Sequence, residues 1–296
     1  MVQPLRIGLV GAGPWATAVH APAIAAHPAT KLAGVWARRP TAAAELAAAH
    51  GGRPFTDVSD LVAACDAVAF AVPPAVQAEH AVAAARAGRH LILEKPVAAT
   101  LDDAARLADT VDEAGVTSIV VLTLRFAPEM RAWLADVAAR GGWRGGTATW
   151  LSGVLLGGQF SASPWRHSDG ALADIGPHTV DLMDAALGEV TEVHAAHHGE
   201  PDLWHLVLGH AGGATSVATL SSKMPLIPTM VSFGVYGDHG HSEFGGRSAT
   251  ALDSFAVLLD EFTEAVHGGR TDHPLGVHRG LHLQRVLDRA RRLAQE

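Results

Sequence analysis

The feature that most constrains this fold is a regular alternation of short apolar runs and alanine-rich helical segments over the first 122 residues. Apolar runs at 5–10, 32–37, 68–72, 91–93 and 118–122 read as strands, with a weaker one near Pro54-Phe55. Between them, 16–26, 41–50, 58–64, 75–87 and 101–114 carry apolar residues at helical spacing. A strand that is apolar at every position is buried on both faces. Such strands, separated by helices, predict a parallel sheet covered on each side. Gly51-Gly52, Gly88 and Gly115 stand where three of these helices should end.

After residue 122 the pattern changes. A helix is expected at 128–139, a strand at 147–155 and an apolar helix at 171–187. Strands follow at 190–196, 203–208, 214–220 and 230–236, and helices at 254–267 and 276–294 close the chain. Consecutive strands without intervening helices pair antiparallel or in a mixed sheet. The expected fold class is α/β. A doubly wound, Rossmann-type domain at 1–122 precedes an α+β domain at 123–296 on a mostly antiparallel sheet. That second sheet needs its own helices on one face only. The strands at 214–220 and 230–236 are apolar on both alternations, so the other face is expected to join subunits of a homo-oligomer, a dimer or a tetramer.

Composition narrows the partners. A net charge of −8 argues against a nucleic-acid or anionic-membrane surface. No apolar run approaches the roughly 18 residues that span a bilayer. Leu5–Val10 runs straight into a glycine turn rather than a cleavage site, and Cys65 is the one cysteine, so no intrachain disulfide forms. Together these predict a cytoplasmic protein, with Cys65 a small buried hydrophobe.

Three motifs carry chemistry. Gly11, Gly13 and Ala16, with Pro14 and Trp15 between them, form a G-x-G-x-x-A turn between the first strand and the first helix. Gly11 permits the tight turn, Gly13 lets backbone approach a pyrophosphate, and Ala16 keeps helix and strand close. The end of the second strand reads Val35-Trp36-Ala37-Arg38-Arg39-Pro40, without the acid that binds an NAD ribose. Arg38 and Arg39 suit a 2′-phosphate, so NADP is favoured over NAD unless both simply face solvent. Val72-Pro73-Pro74 form either a rigid ligand loop at the carboxyl edge of the sheet or a structural turn.

The second motif, Glu94-Lys95-Pro96, closes the fifth strand at that same edge. Lys95 is either an ordinary surface lysine or a proton-exchanging group at the nicotinamide end of the cleft. In the third, Asp174, His178 and Asp181 are spaced i, i+4, i+7, so a continuous helix puts them on one face. Pro177 leaves two readings: a kink in that helix, or a helix capped by Gly176 and starting at Pro177. The flanking residues are apolar, so Asp174 and His178 are either a satisfied polar pair or groups awaiting a ligand. His194, His197, His198, His205 and His210 cluster in the later strands, and alternation puts His194 and His198 on one face. With no cysteine and no fixed third ligand, no metal site is expected.

Together the Gly11-Ala12-Gly13 turn, Glu94-Lys95-Pro96, Arg125-Phe126-Ala127-Pro128, Trp165-Arg166, Asp174-Ile175-Gly176-Pro177-His178-Thr179-Val180-Asp181 and Tyr236-Gly237-Asp238-His239-Gly240 resemble the glucose–fructose oxidoreductase / inositol dehydrogenase / rhizopine-catabolism (Gfo/Idh/MocA) family. The resemblance runs from Leu5 to the C-terminal helices. It implies hydride transfer between nicotinamide and a secondary alcohol or ketone of a sugar, cyclitol or related polyol. Lys95 and His178 then handle the hydroxyl proton and Asp174 binds a substrate hydroxyl. Glu94, Arg125, Trp165 and Arg166 lie beside the cofactor. Two departures stand out: Gln77 occupies a position where many members have His, and the usual glycine run before the D-x-G-x-H helix is reduced to Asp169-Gly170. The alternatives are an NAD-dependent glycosidase of the same family, which oxidises its substrate transiently, or a non-catalytic dinucleotide sensor, expected to lack the Lys or the His.

Overall fold

The computed structural model describes residues 3–246 and 248–296. The chain divides into two compact units, Met1–Phe126 with Thr250–Leu281, and Ala127–Ala249 with His282–Glu296.

The first unit begins with β1 (Leu5–Val10), a π-helical turn (Ala16–His20) and α1 (Ala21–Ala26). It continues as β2 (Thr30–Trp36), α2 (Pro40–Ala49), β3 (Arg53–Phe55), α3 (Val58–Ala63), β4 (Ala67–Phe70), α4 (Pro74–Arg86), β5 (His90–Leu93), α5 (Leu101–Ala114) and β6 (Ser118–Val120). The strands pair in parallel in the order β3-β2-β1-β4-β5-β6. Residues of β1, β4 and β5 are almost wholly buried, as continuous apolar strands require. Gly115 closes α5 in the left-handed region, at φ 61°. The π turn was not expected. Pro22 has no amide hydrogen for the Ala18 carbonyl, and the Ala21 N–H reaches back five residues to Ala16, which widens the helix there. Cys65 is fully buried, and burial pushes its thiol up to about 11.

The second unit contains α6 (Pro128–Arg140), β7 (Trp143–Leu151), α7 (Pro164–Asp174), α8 (Gly176–Leu187), β8 (Val190–Gly199), β9 (Leu203–His210), β10 (Thr215–Ser221), β11 (Met230–Gly237) and β12 (Gly240–Glu243). Its sheet runs β12-β11-β7-β10-β9-β8, antiparallel except between β7 and β10. One face, with Ala148, Leu206, Leu208, Ala218, Phe233 and Val235, is buried on the side of α8. The other presents Thr147, Thr149, Val207, Thr215 and Thr219 with Val217 (42% exposed), Met230 (52%) and Tyr236 (45%). A Cβ on Gly145 would lie 2.6 Å from the Tyr236 ring, and one on Gly209 would lie 2.4 Å from His194 Nε2, so both rings lie down across neighbouring glycines.

The chain then returns to the first unit as α9 (Ala251–His267), while α10 (Val277–Leu293) begins in the first unit and ends in the second. This division differs from a single boundary at 122/123 in giving α9 and the start of α10 to the first unit. Phe255 and Phe262 of α9 are fully buried. The His20 ring lies 4.6 Å from Phe255, and His27 Nε2 lies 3.0 Å from Asp260 Oδ1, so α9 completes the covering of the first sheet. Its start precedes the apolar run because Thr250 and Asp253 form a capping box. Among the described residues, no helix is long and apolar enough to cross a membrane.

Candidate active site

Parallel strands deliver their following loops to one edge, so the sheet order places several sequence-predicted residues together. After β1 the Gly11 N–H bonds the Trp36 carbonyl at 2.8 Å, and Gly11 has φ 125°. A Cβ there would lie 2.4 Å from the Ala71 carbonyl oxygen, so the close approach of β1 and β4 itself demands glycine. Gly13 differs: a Cβ there would meet no protein atom within 4 Å. The fold leaves that space clear, and a demand for glycine at Gly13 comes only from a ligand. Exposed Pro14 opens the helix, half-buried Trp15 follows, and fully buried Ala16 packs inward. The N-terminus of this helix, which starts at Pro14, is the end that suits an anion. This turn fits a dinucleotide pyrophosphate.

The other loops of that edge carry the remaining candidates. Arg38 and Arg39 follow β2 and are both exposed. Val72, half-buried, and Pro73, exposed, follow β4, and buried Pro74 starts α4. The order turns at β1 and β4, which is where ligands bind in doubly wound sheets. Arg125 lies half-buried in the 3₁₀ turn Thr123–Phe126, its N–H on the Leu122 carbonyl at 2.9 Å.

The loop after β5 is held from within. The Glu94 carboxylate accepts the Trp15 Nε1–H at 2.7 Å and stands 3.0 Å from Nε2 of His20, a histidine with no exposure. Its other oxygen accepts the Lys95 N–H at 3.3 Å. Glu94 and Trp15, expected beside the cofactor, thus bind each other and tie the glycine turn to the lysine loop. Lys95 is half-buried, and its bond to Pro96 is cis. Buried Gln77 on α4 bonds the main chain on both sides of Lys95. Neither His20 nor Gln77 was identified as a site residue in the sequence. Their partners are 74 and 17 residues away, and no local pattern marks them.

In the second unit the expected helix over 171–187 is broken before Pro177, with Ile175 as the cap and Gly176 as the first helical residue, one position earlier than the capped-helix reading of Gly176 and Pro177. Gly170, at φ 67° and ψ −166°, interrupts α7. There the Asp202 carboxylate accepts the Ala171 N–H at 2.7 Å, and a Cβ on Gly170 would lie 2.5 Å from it. Asp174 ends α7, Ile175 at φ −108° and ψ −19° separates it from α8, and Pro177 sits in the first turn of α8 just before His178. Asp174 (7% exposed) and His178 (8%) are largely buried. Arg166 Nε lies 3.2 Å from Asp174 Oδ1. Its guanidinium stands 4.6 Å from the Trp165 ring centre and 4.8 Å from that of Phe160. Arg166 is therefore a partner of Asp174, clamped by two aromatic faces. The His178 ring stacks at 5.7 Å on Trp150 of β7. Asp184, deeper on α8, accepts the Val190 N–H at 2.6 Å and lies 2.8 Å from His282 Nε2, which makes it structural.

The histidine-rich strands need one correction. A bulge in β8 between Val193 and Ala195 shifts the alternation. His194 therefore lies over Gly209 on the open face, and His198 stacks at 4.2 Å on buried Trp204 on the other. Among the described residues, no three His, Cys, Asp or Glu side chains gather as a metal site would require.

Comparison with known proteins places this geometry. Residues 5–122 match an oxidoreductase family with an NAD-binding Rossmann fold, and residues 146–243 match the GFO/IDH/MocA C-terminal domain. The rhizopine catabolism protein MocA of Rhizobium meliloti is 26% identical over 89% of this chain and 87% of its own. The WlbA dehydrogenase from Bordetella pertussis, in complex with NADH and UDP-GlcNAcA, shares the fold with a TM-score of 0.86 and 25% identity, over 99% of this chain and 97% of its own. A 3-ketoreductase from Actinomadura kijaniata in complex with NADP aligns with a TM-score of 0.81 and 23% identity, over 98% of each chain. With both matches in sequence order on a fold of this kind, the chain belongs to the GFO/IDH/MocA family of NAD(P)-binding oxidoreductases.

Proposed function

We propose that this protein is an NADP-preferring dehydrogenase or reductase, acting on a secondary alcohol or ketone of a sugar, cyclitol or related polyol. The observation that carries this reading is a lysine held at the carboxyl edge of a dinucleotide-type sheet, in the loop bonded to the glycine turn. The relatives' sugar and rhizopine names support the substrate class. A bound nicotinamide supplies the acceptor or donor of hydride. In the oxidising direction the substrate C–H leaves as hydride, the hydroxyl proton passes to Lys95 or His178, and a ketone remains. The reverse direction returns that proton to the new alcohol. Asp174, fixed by Arg166, accepts from a substrate hydroxyl and orients His178, with Trp165 beside the substrate and Arg125 beside the nicotinamide. Gly11, Gly13 and the Val72-Pro73-Pro74 loop hold the dinucleotide, with Arg38 and Arg39 on its 2′-phosphate.

The cofactor preference is tested by titrating the protein's tryptophan fluorescence with NADPH and with NADH. NADPH should bind more tightly, and Arg38→Ala should weaken NADPH by about tenfold while leaving NADH unchanged, since one charge-assisted contact is lost. Equal affinities in the unaltered protein would refute it. The threonine-rich face of the second sheet carries a further expectation. Sedimentation at micromolar concentration should give a dimer or tetramer, and Val217→Lys should shift it toward the 30.7 kDa chain. A monomer throughout would contradict this use of the face.

A further inference from the structure

We propose that Gln77 is a positioning residue for Lys95, and that it sets turnover rather than cofactor affinity. The inference rests on the acid–base role given to Lys95 above. Gln77 has no exposure and lies in the first turns of α4, four residues after exposed Pro73. Its side-chain N–H groups donate to the carbonyls of Glu94 (2.7 Å), Val97 (3.0 Å) and Pro96 (3.2 Å), and its oxygen accepts the Glu94 N–H at 2.8 Å.

The need for such a clamp follows from the strand's end. The ladder between β5 and β6 stops at Leu93 with Val120, and Pro96 has no N–H to give. The main-chain groups of 94–97 therefore have to find partners outside the sheet, where Glu94, Lys95 and Pro96 are half-buried and Val97 is buried. One primary amide supplies two donors and an acceptor. A carboxylate of the same shape would set negative charge against three carbonyls, and an aliphatic chain would satisfy none of them. On the opposite side the Glu94 carboxylate holds the Lys95 N–H. The backbone on both sides of Lys95 is thus fixed by the wholly buried Gln77 side chain and by the Glu94 carboxylate. Gln77 also links two loops of the carboxyl edge, the one entering α4 and the one leaving β5. A catalytic group displaced by about 1 Å commonly costs about 10²-fold in rate.

The test compares Gln77→Met, Gln77→His, Lys95→Met and the double variant Gln77→Met/Lys95→Met with the unaltered protein. Turnover is measured on whichever polyol or keto-sugar of a panel gives the fastest NADP-linked rate. Gln77→Met should lower kcat on the order of 10²-fold, with KM and NADPH affinity within about threefold. Gln77→His keeps one ring donor and one acceptor and should recover part of the loss. In the Lys95→Met background, Gln77→Met should cost almost nothing more, whereas a general structural defect would lower both backgrounds alike. Hydrogen exchange with NADPH present reads the clamp without a substrate. Amides of Glu94, Lys95, Val97 and Ala98 should exchange at least tenfold faster in Gln77→Met, or in Gln77→His if the methionine variant fails to fold, while β1 and β4 stay protected. Unchanged exchange at 94–98, unchanged kcat, or equal losses in both backgrounds would overturn the proposal. A Lys95→Met enzyme with full turnover would instead overturn the role of Lys95 itself.

Discussion

Lys95→Met and His178→Ala should each lower turnover by about 10²–10⁴-fold, the usual contribution of a general acid–base group, and leave NADPH affinity nearly intact. Lys95 extends from the loop bonded to the glycine turn, and His178 lies in the first turn of α8, stacked on Trp150. If both serve one proton in one transition state, the double variant loses less than the product of the single effects. Asp174→Ala should raise KM first, and Arg166→Ala should follow it, because the two form one ion pair. Steady-state kinetics from pH 6 to 9 provides the check (an assay range spanning the usual histidine pKa). A His178→Ala enzyme with unaltered turnover across that range would move the proton to Lys95 alone or to a water.

The glycine turn gives the second large effect, as a contrast between two neighbouring substitutions. Gly11→Ala puts a Cβ 2.4 Å from the Ala71 carbonyl at a φ of 125°. Strain and overpacking together should cost about 2–5 kcal/mol of stability. Gly13→Ala meets nothing in the protein within 4 Å. It should leave stability within about 1 kcal/mol, yet weaken NADPH binding about tenfold or more because the methyl occupies the ligand's path. Thermal unfolding with and without NADPH separates the two. A Gly13→Ala protein that binds NADPH normally would remove the pyrophosphate from this turn.

These contrasts also show where the sequence was informative. The strands of the first sheet were legible because burial on both faces writes a continuous apolar run. β2 nonetheless starts earlier than that run, since Thr30 and Lys31 are polar ladder residues. The residues of the glycine turn, Glu94-Lys95-Pro96 and Asp174 to Asp181 were legible because each motif is short and contiguous. Features that arise from tertiary pairing were not. The first turns of α7, Trp165 to Asp169, are polar and half-exposed and show no periodicity. β7 begins at Trp143 because Gly145 and Gly146, poor strand formers alone, are covered by Tyr236 and Leu187. β12 is four mostly exposed residues held by β11. The bulge that separates His194 from His198 leaves no mark in composition. Gln77 is the sharpest case: in the sequence it is a missing histidine, and in the structure it has four bonds to the lysine loop.

The central claim is that a secondary alcohol's hydride passes to nicotinamide. The most direct measurement follows a polyol or sugar deuterated at its carbinol carbons, incubated with NADP and the unaltered protein, with the nicotinamide then isolated and analysed by mass spectrometry and NMR. The account predicts reduced cofactor equal in amount to ketone formed, with deuterium at C4 of the nicotinamide on one face only. A product formed with no net reduced cofactor would contradict it in favour of transient oxidation, and cofactor bound without any label transfer would contradict it in favour of a sensor.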